Sequence, residues 1–419
     1  MINKVLQSKV FKNGIWLTIL QIVNTVIPII TIPYITRILG ASEYGIFSIA
    51  LNWILYFQVF VEFGFGLSGA RKVALLKEDE KKKLNDLYNN IISSRIILLV
   101  VSFIILNIIA FASKFNIKVY TSMIILFVMI IGTTFQLTWL FQGKQDMKFI
   151  TIINVVSRLI SFILIFTLVK NSEQLYLYCF LYSITIFISS IISNIIAYKK
   201  YDLKFKFSNL KSIKSEINDG KYLFASSAMS KIFGGFGITV LGIISTTTIT
   251  GIYSAIYKIP YVLTMVFSPV SQAIYPYISY KFSGGVSNGL KTIKKICIPI
   301  LLLFCIPAII VILFSKLVVN IIFGYEYAMY SIIVIPLVLQ FLFAVINNFL
   351  GIQFLVASGH QKKYSKSLLH GCISIVLCNI VLGNFFSIYG VAWAAFISEV
   401  ILTISLVINC KKIIDGVRK

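Results

Sequence analysis

The chain has 419 residues, of which 58% are hydrophobic and 12% are charged, and its mean hydropathy is +0.92. Soluble domains average about 45–50% apolar and about 25% charged residues, so this composition excludes an ordinary soluble enzyme. The 38 Lys and Arg residues outnumber the 14 Asp and Glu residues, which gives a net charge of +24. In a soluble protein that imbalance would suggest a nucleic-acid ligand. Here the apolar content indicates a bilayer, and we expect no nucleic-acid partner.

Hydrophobic runs predict an all-α integral membrane protein with about twelve transmembrane helices. A bilayer core about 30 Å thick needs roughly 20 apolar residues per helix. In chain order the predicted spans cover about 14–36, 46–67, 91–111, 119–141, 149–169, 175–197, 222–244, 251–278, 296–315, 331–354, 367–386 and 389–410. The longest basic segment, 198–221, separates the first six spans from the last six.

The basic residues between the spans predict the orientation of the chain. If the N-terminus is cytoplasmic, the inner segments hold 29 of the Lys and Arg residues, the outer loops hold 5 and the spans hold 4. Cytoplasmic loops of membrane proteins carry such an excess of Lys and Arg. We therefore expect both termini in the cytoplasm, and we expect the inner segments to contact anionic membrane lipids.

Two short similarities favour an internal duplication. Residues 45–48 (GIFS) open the second span and residues 251–254 (GIYS) open the eighth. Residues 143–145 (GKQ) and 359–361 (GHQ) precede the fifth and eleventh spans. Both pairs fall at corresponding places in the two halves. We therefore predict two parallel six-helix lobes, an N-terminal lobe of residues 1–205 and a C-terminal lobe of residues 206–419.

Four cationic residues fall inside the predicted spans. A charged side chain at the bilayer centre costs about 2.5–3.5 kcal/mol on insertion scales, so each of them needs an explanation. At about 1.5 Å rise per residue, Arg158 and Lys231 lie near the midplane and Lys258 lies nearer the outer face. Arg95 lies near the inner end of the third span, where it could also extend to the interface. These four residues are the candidate substrate-binding residues.

Two carboxylates also fall inside the spans. Glu62 lies near the inner end of the second span and could pair with Arg95 or Arg71. Glu399 lies near the midplane of the twelfth span, where it could neutralise Lys231 or Lys258. Intramembrane carboxylates also serve as proton or cation carriers, so both are candidates for ion coupling.

The sum of the charges within the spans is more informative than any single member. Four cations exceed two carboxylates, so a cavity between the spans would carry net positive charge. That sign suits an anionic ligand group such as a phosphate or pyrophosphate, whereas a cavity for cationic drugs would need the opposite sign. The six Cys residues show no metal-ligand spacing, and we expect neither a metal nor a cofactor.

Several motifs resemble those of polysaccharide transporters of the Wzx flippase type. Residues 33–40 (PYITRILG) followed by 43–45 (EYG) look like the opening of that family. Residues 61–66 (VEFGFG) match a second motif, in which the family often has Asp where this chain has Glu62. Residues 251–255 (GIYSA) with 258–260 (KIP) form a third match. The resemblance covers the whole chain in length, span count and division into halves.

The resemblance implies a fold and a function. It implies two six-helix lobes around a central V-shaped cavity, in the superfamily that includes MATE drug antiporters and the MurJ lipid II flippase. The implied substrate is an undecaprenyl-pyrophosphate-linked oligosaccharide, moved across a bacterial cytoplasmic membrane for O-antigen or capsule synthesis. A polysaccharide polymerase is an implied partner. The family's substrate contacts vary, so the assignments to Arg158, Lys231 and Lys258 rest on the cost of charge in the membrane.

Two other interpretations remain open from the sequence. A MATE-type drug or cation antiporter shares the architecture, although its cavity should carry net negative charge. A membrane polymerase or ligase acting on lipid-linked sugars is the enzyme alternative, although it would normally need a sizeable outer loop. The longest predicted outer loop, 316–330, is too short for a catalytic domain. We therefore expect a transporter and not an enzyme.

Overall fold

The computed structural model describes residues 9–77, 79–113 and 115–418, and these residues are almost entirely helical. They form sixteen α-helices, two short 3₁₀ helices (Ser172–Gln174 and Ser331–Ile333) and one π-helix (Phe349–Val356), with no strand in this part of the chain. The α-helices are α1 (Lys9–Glu62), α2 (Phe65–Ala74), α3 (Lys81–Ala112), α4 (Ile117–Leu126), α5 (Val128–Phe135), α6 (Thr138–Gly143), α7 (Met147–Leu168), α8 (Leu175–Tyr201), α9 (Leu210–Ile244), α10 (Thr247–Ile256), α11 (Lys258–Ser283), α12 (Val286–Leu313), α13 (Ser315–Phe323), α14 (Tyr325–Ala328), α15 (Val334–Asn348) and α16 (Gln361–Arg418).

Within the described residues, ten helical segments are long and apolar enough to cross a membrane. Two of these segments, Lys12–Ala74 with most of α1 and Gln361–Asp415 within α16, each contain two of the predicted spans. The 54 residues of α1 would measure about 80 Å as one straight helix, far more than a bilayer core of about 30 Å. Both helices are interrupted between their two predicted spans, at Gly40 (φ 72°) and at Ser387 (φ 49°). The predicted all-α membrane fold with about twelve spans is confirmed, and the orientation of the termini remains a prediction.

The fourth predicted span is the most irregular, because it is built from three short helices, α4, α5 and α6. Gln136, at the end of α5, has an extended backbone (ψ 130°), so α5 and α6 do not form one continuous helix. Backbone groups freed at such a break must find other partners inside a membrane protein. Side chains from α3 and α8 supply them, as described below.

The chain forms two compact units. One comprises Ile46–Lys231 together with the described residues up to Leu39, and the other comprises Gly40–Gly45 together with the described residues from Ile232 onward. The boundary between Lys231 and Ile232 falls inside α9, whereas the sequence suggests a boundary between the two lobes at 205/206. That lobe boundary stays a prediction.

The linker after α8 is held along α3 within the first unit. Residues 202–209 lie outside regular secondary structure, and the backbone N–H groups of Lys204 and Lys206 donate to the side-chain oxygens of Asn85 and Asn89 at 2.8 and 2.9 Å. The N–H group of Ser208 continues the series by donating to Ser93 Oγ at 3.0 Å. The three acceptors Asn85, Asn89 and Ser93 are four residues apart and therefore lie on one face of α3. These three bonds attach the linker to the first unit.

A reciprocal pair of glycine contacts lies inside the second unit. A Cβ atom on Gly45 would lie 1.8 Å from the carbonyl oxygen of Thr247, and one on Gly251 would lie 2.0 Å from that of Ala41. Thr247 precedes Gly251 by four residues, as Ala41 precedes Gly45 by four. Each copy of the repeated Gly-Ile-aromatic-Ser motif therefore places its glycine against the backbone one turn before the other glycine. This reciprocity supports the duplication predicted from the two motifs.

Replacement of either motif glycine tests this contact. Gly45→Ala or Gly251→Ala should strongly lower the yield and melting temperature of the purified protein, because a methyl group cannot occupy space held by a backbone carbonyl. Overpacking a closely packed site typically costs about 1–3 kcal/mol. Gly66→Ala is the matched control, because a methyl group there would have no atom of the described residues outside its own helix turn within 4 Å. If Gly45→Ala and Gly251→Ala melted with the wild type, the helices would not be in this close contact.

Candidate functional site

Arg158 lies on the inward side of α7. The exposed face of this helix is aliphatic and includes Val156, Ile160 and Ile163. At about 100° per residue, Arg158 projects from the opposite side, next to Asn154. The side chain of Arg158 is half-buried. A cation at membrane depth therefore faces away from the lipid-like surface of its own helix, as expected for a residue that lines a polar space.

Lys231 lies in a stretch of α9 that is rich in small polar residues. The side chain of Lys231 is half-buried, and Ser226, Ser227 and Ser230 just before it are exposed. Hydroxyl groups gain nothing from contact with hydrocarbon, whereas they are well solvated by water. The composition of this stretch of α9 is therefore typical of a helix face in contact with water, and Lys231 is the cationic residue next to it.

Lys258 is the first residue of α11, directly after the interruption at Tyr257 between α10 and α11. Its ammonium group lies 5.5 Å from the ring centroid of Tyr261, in a cation–π contact. Lys258 is half-buried, whereas the two residues that follow it are buried. The cation–π contact partly stabilises the ammonium group, which keeps its positive charge.

Arg95 has the contacts of a helix cap. It is 3% exposed, and its Nη1 donates to the carbonyl oxygens of Thr133 at 3.2 Å and Gln136 at 2.8 Å. Both carbonyls lie where α5 ends, the Thr133 carbonyl also accepts from the Gln136 N–H group at 3.3 Å, and Asn194 of α8 donates to the neighbouring carbonyl of Phe135 at 2.7 Å. A cation at the C-terminus of a helix also interacts favourably with the helix dipole. The guanidinium group thus stabilises the broken fourth span.

Glu62 is the carboxylate that interacts electrostatically with Arg95. It ends α1, and the chain then passes through Phe63 (φ 43°) and Gly64 (φ 74°), both in the left-handed region. Glu62 and Arg95 are one of the pairs considered from the sequence, and the structure shows an electrostatic interaction between them. Both belong to the first unit, and the pair lies beside the helix break that Arg95 caps.

The Gly64 turn is fixed by contacts that sequence patterns did not predict. Lys72 of α2 forms ion pairs with Glu216 at 2.7 Å and with Asp219 at 2.8 Å, both in the first half of α9. The rings of Phe63 and Phe224 stack with centroids 4.4 Å apart. The two acidic residues in the otherwise basic first half of α9 indicated that this segment forms ion pairs. The sequence did not indicate that their partner lies on α2.

Glu399 is buried in the second unit within a polar cluster. It is 5% exposed, and Asn347 Nδ2 donates to Glu399 Oε2 at 2.6 Å. Thr403 Oγ1 donates to Asn347 Oδ1 at 2.7 Å, which orients the amide. Tyr257 and Tyr364 interact with the carboxylate electrostatically. A carboxyl group held by neutral polar groups at membrane depth can exchange a proton or accept a small cation, and the role of Glu399 in ion coupling stays a prediction.

These features define a class of protein, a multi-span membrane transporter with cationic groups inside its spans. Fold comparison agrees, because the chain superposes on the lipid II flippase MurJ in an inward closed conformation with a TM-score of 0.71. The match has 14% identity and covers 96% of this chain and 87% of that one. An inward-facing multidrug resistance MATE family transporter of the MOP superfamily gives a TM-score of 0.64 at 11% identity, covering 93% and 98% of the two chains. At these identities the likeness shows the fold alone.

Sequence comparison gives the family. The family model described as polysaccharide biosynthesis protein matches residues 10–282, and the chain belongs to this family. A protein of Escherichia coli (strain K12) described as an O-antigen transporter is 29% identical over 397 residues, which cover 94% of each chain. A protein of Haloferax volcanii described as the low-salt glycan biosynthesis flippase Agl15 is 24% identical and matches 94% of this chain and 82% of its own length. The predicted family resemblance is confirmed.

The capping role of Arg95 has a direct test. Arg95→Met should lower the melting temperature of the substrate-free protein by several degrees, because the carbonyl of Gln136 loses the guanidinium donor and that of Thr133 keeps only the Gln136 N–H group. Each buried polar group left unsatisfied costs about 1–3 kcal/mol. Arg158→Met is the matched control and should melt with the wild type. Equal melting temperatures for Arg95→Met and the wild type would show that the cap contributes nothing to stability.

Proposed function

We propose that this protein is a flippase that moves an undecaprenyl-pyrophosphate-linked oligosaccharide from the inner to the outer leaflet of a bacterial cytoplasmic membrane. It would act by alternating access and supply a polysaccharide polymerase on the outer side. Both termini then lie in the cytoplasm, in agreement with the excess of Lys and Arg in the inner segments. The basic inner segments would contact anionic lipids.

The observation that carries this proposal is the sign and placement of the charges within the spans. Arg158 lies on the inward side of its helix, Lys231 follows an exposed row of serines, and Lys258 is held over a tyrosine ring. A pyrophosphate carries negative charge, and positive groups in a poorly hydrated site bind it strongly. We assign its capture to these three residues. Arg95 is engaged in the cap of α5 and would contribute mainly by supporting the first unit.

Family membership and the named relatives support the same proposal. The relatives found by sequence are described as transporters and a flippase of glycans, whereas the MATE likeness rests on fold alone. A cavity for cationic drugs would also need net negative charge. Expression in a drug-sensitive strain separates the two functions, because an antiporter would lower the accumulation of a cationic dye and a glycan flippase would not.

Each of the three cations should be needed for transport. In a strain that lacks its own flippase and depends on this protein, Arg158→Ala, Lys231→Ala and Lys258→Ala should each lower surface polysaccharide about tenfold or more. A hydrogen bond to a charged group contributes about 1.5–3 kcal/mol, and about 1.4 kcal/mol corresponds to a factor of ten. Lys211→Ala, an exposed cation of the inner segment, should leave export unchanged. Undiminished export by all three variants at matched protein levels would contradict capture by these charges.

Glu399 is proposed to carry the coupling ion, a proton or sodium. Glu399→Gln keeps a side-chain oxygen that can accept the hydrogen bond from Asn347, so the fold should be retained. In proteoliposomes the variant should lose the stimulation of transport by an imposed proton or sodium gradient. Glu173→Gln, an exposed carboxylate, is the control and should keep it. Gradient-stimulated transport by Glu399→Gln would assign Glu399 a purely structural role.

A further inference from the structure

One face of α11 is polar along its whole length. The side chains that project from this face are half-buried or exposed, and they are spaced by three or four residues: Tyr261, Thr264, Ser268, Gln272, Tyr275 and Ser279. Residues at this spacing form one stripe along a helix. We call these six residues the α11 polar stripe. It rises about 27 Å, which is close to the thickness of a bilayer core.

The neighbouring face of α11 is buried and fixes the direction of the stripe. Phe267 packs against Phe304 of α12 and Phe349 of the π-helix, with ring centroids 5.5 and 6.3 Å apart. Ser271 Oγ donates to Asn348 Oδ1 at 2.7 Å, and Gln353 Nε2 donates to the Ser271 carbonyl at 2.9 Å. These contacts pack the Phe267 and Ser271 face of α11 against other helices of the second unit. The stripe therefore lies beside the packed core, on the open side of the helix.

The stripe is unsuited to contact with lipid. Hydroxyl and amide groups cost free energy in hydrocarbon unless they find partners. Residues 296–313 of the neighbouring helix α12, by contrast, carry no hydroxyl, amide or charged side chain. In the stripe, Thr264 Oγ1 donates to the Pro260 carbonyl at 3.0 Å and Gln272 Nε2 donates to Ser268 Oγ at 3.1 Å. Both bonds run along α11 itself, so the polar face is preserved for water or a hydrophilic ligand.

The chemistry of the stripe matches a sugar chain. It contains hydroxyls, one amide and two tyrosine rings, and no charged side chain. Hydroxyl and amide groups both donate and accept hydrogen bonds, as sugar hydroxyls require. Tyrosine rings offer an apolar face with a polar tip, which fits the C–H faces and hydroxyls of a sugar. Lys258, one turn before Tyr261, adds a cation at one end of the stripe for a phosphate group.

We infer that the α11 polar stripe binds the oligosaccharide of the substrate, as a continuous track on which the sugars exchange one set of hydrogen bonds for another. This inference rests on the proposed function. It assigns the sugars to α11 and leaves the pyrophosphate to the cationic residues. Because the stripe is neutral and repetitive, it binds sugars as a class.

Binding by the purified full-length protein in lipid nanodiscs tests the inference. The two probes are bare undecaprenyl pyrophosphate and the same lipid bearing the repeat-unit oligosaccharide of the source strain. The wild type should bind the sugar-bearing lipid about tenfold more tightly than the bare one. The triple variant Thr264→Val/Ser268→Ala/Gln272→Met should lose this preference and bind the bare lipid as the wild type does.

A control variant removes similar groups elsewhere. Thr167 and Asn384 are exposed and donate only to carbonyls of their own helices in the bonds that the structure shows. Thr167→Val/Asn384→Leu should keep the preference for the sugar-bearing lipid. If the triple variant fails to fold, Gln272→Met and Tyr275→Phe are measured singly and should each reduce the preference about threefold.

The outcomes separate the two proposals. If the wild type prefers the sugar-bearing lipid and the triple variant, or both single variants, keep the full preference, the stripe does not bind the sugars, while the flippase proposal stands. If the wild type binds both lipids equally but supports export, the inference is again overturned. If the wild type binds neither lipid more tightly than it binds a neutral phospholipid, the proposed function itself fails, and the inference fails with it.

Discussion

The structure depends on one constraint, the cost of leaving a polar group in hydrocarbon without a partner. Inside a bilayer no water is available to hydrogen-bond a free carbonyl or hydroxyl, so every break in a helix needs a side chain to satisfy it. The fourth span shows this clearly, since Arg95 and Asn194 supply the donors where α5 ends. The same constraint limits where Arg158, Lys231 and the polar face of α11 can point. It therefore connects the stability of the fold with the placement of the proposed substrate-binding residues.

A second constraint is close approach between backbones. The two motif glycines allow their helices to meet where any side chain would collide with a carbonyl group. The linker after α8 uses a different solution, in which side chains of α3 satisfy alternate N–H groups of a segment without regular secondary structure. Both contacts involve segments that connect the spans. They are specific contacts of named residues, whereas the spans themselves could tolerate many exchanges among aliphatic residues.

The cations within the spans have two kinds of surroundings, a buried helix cap and a half-buried helix face, which the sequence alone does not distinguish. Among the cations within the spans, Arg95 is a buried cap, while Arg158 lies on the inward side of a helix whose exposed face is aliphatic. Hydropathy gives both the same cost of insertion, and only their surroundings distinguish them. The sequence suggests a lysine partner for Glu399, whereas the structure gives it Asn347 as hydrogen-bond donor. The α11 polar stripe has no conspicuous sequence signal, because its members are uncharged and common residues.

The sequence by itself determined the membrane class, the approximate span limits, the family and the residues of the repeated motif, because these follow from composition, from the length needed to cross a bilayer and from local patterns. The break in the fourth span, the ion pairs of Lys72 and the cluster around Glu399 were decided only by the tertiary structure. Each joins residues far apart in the chain, and no local pattern encodes which helix faces which. The direction of a side chain relative to lipid is likewise a property of packing, since the same helix can present any face until its neighbours are fixed.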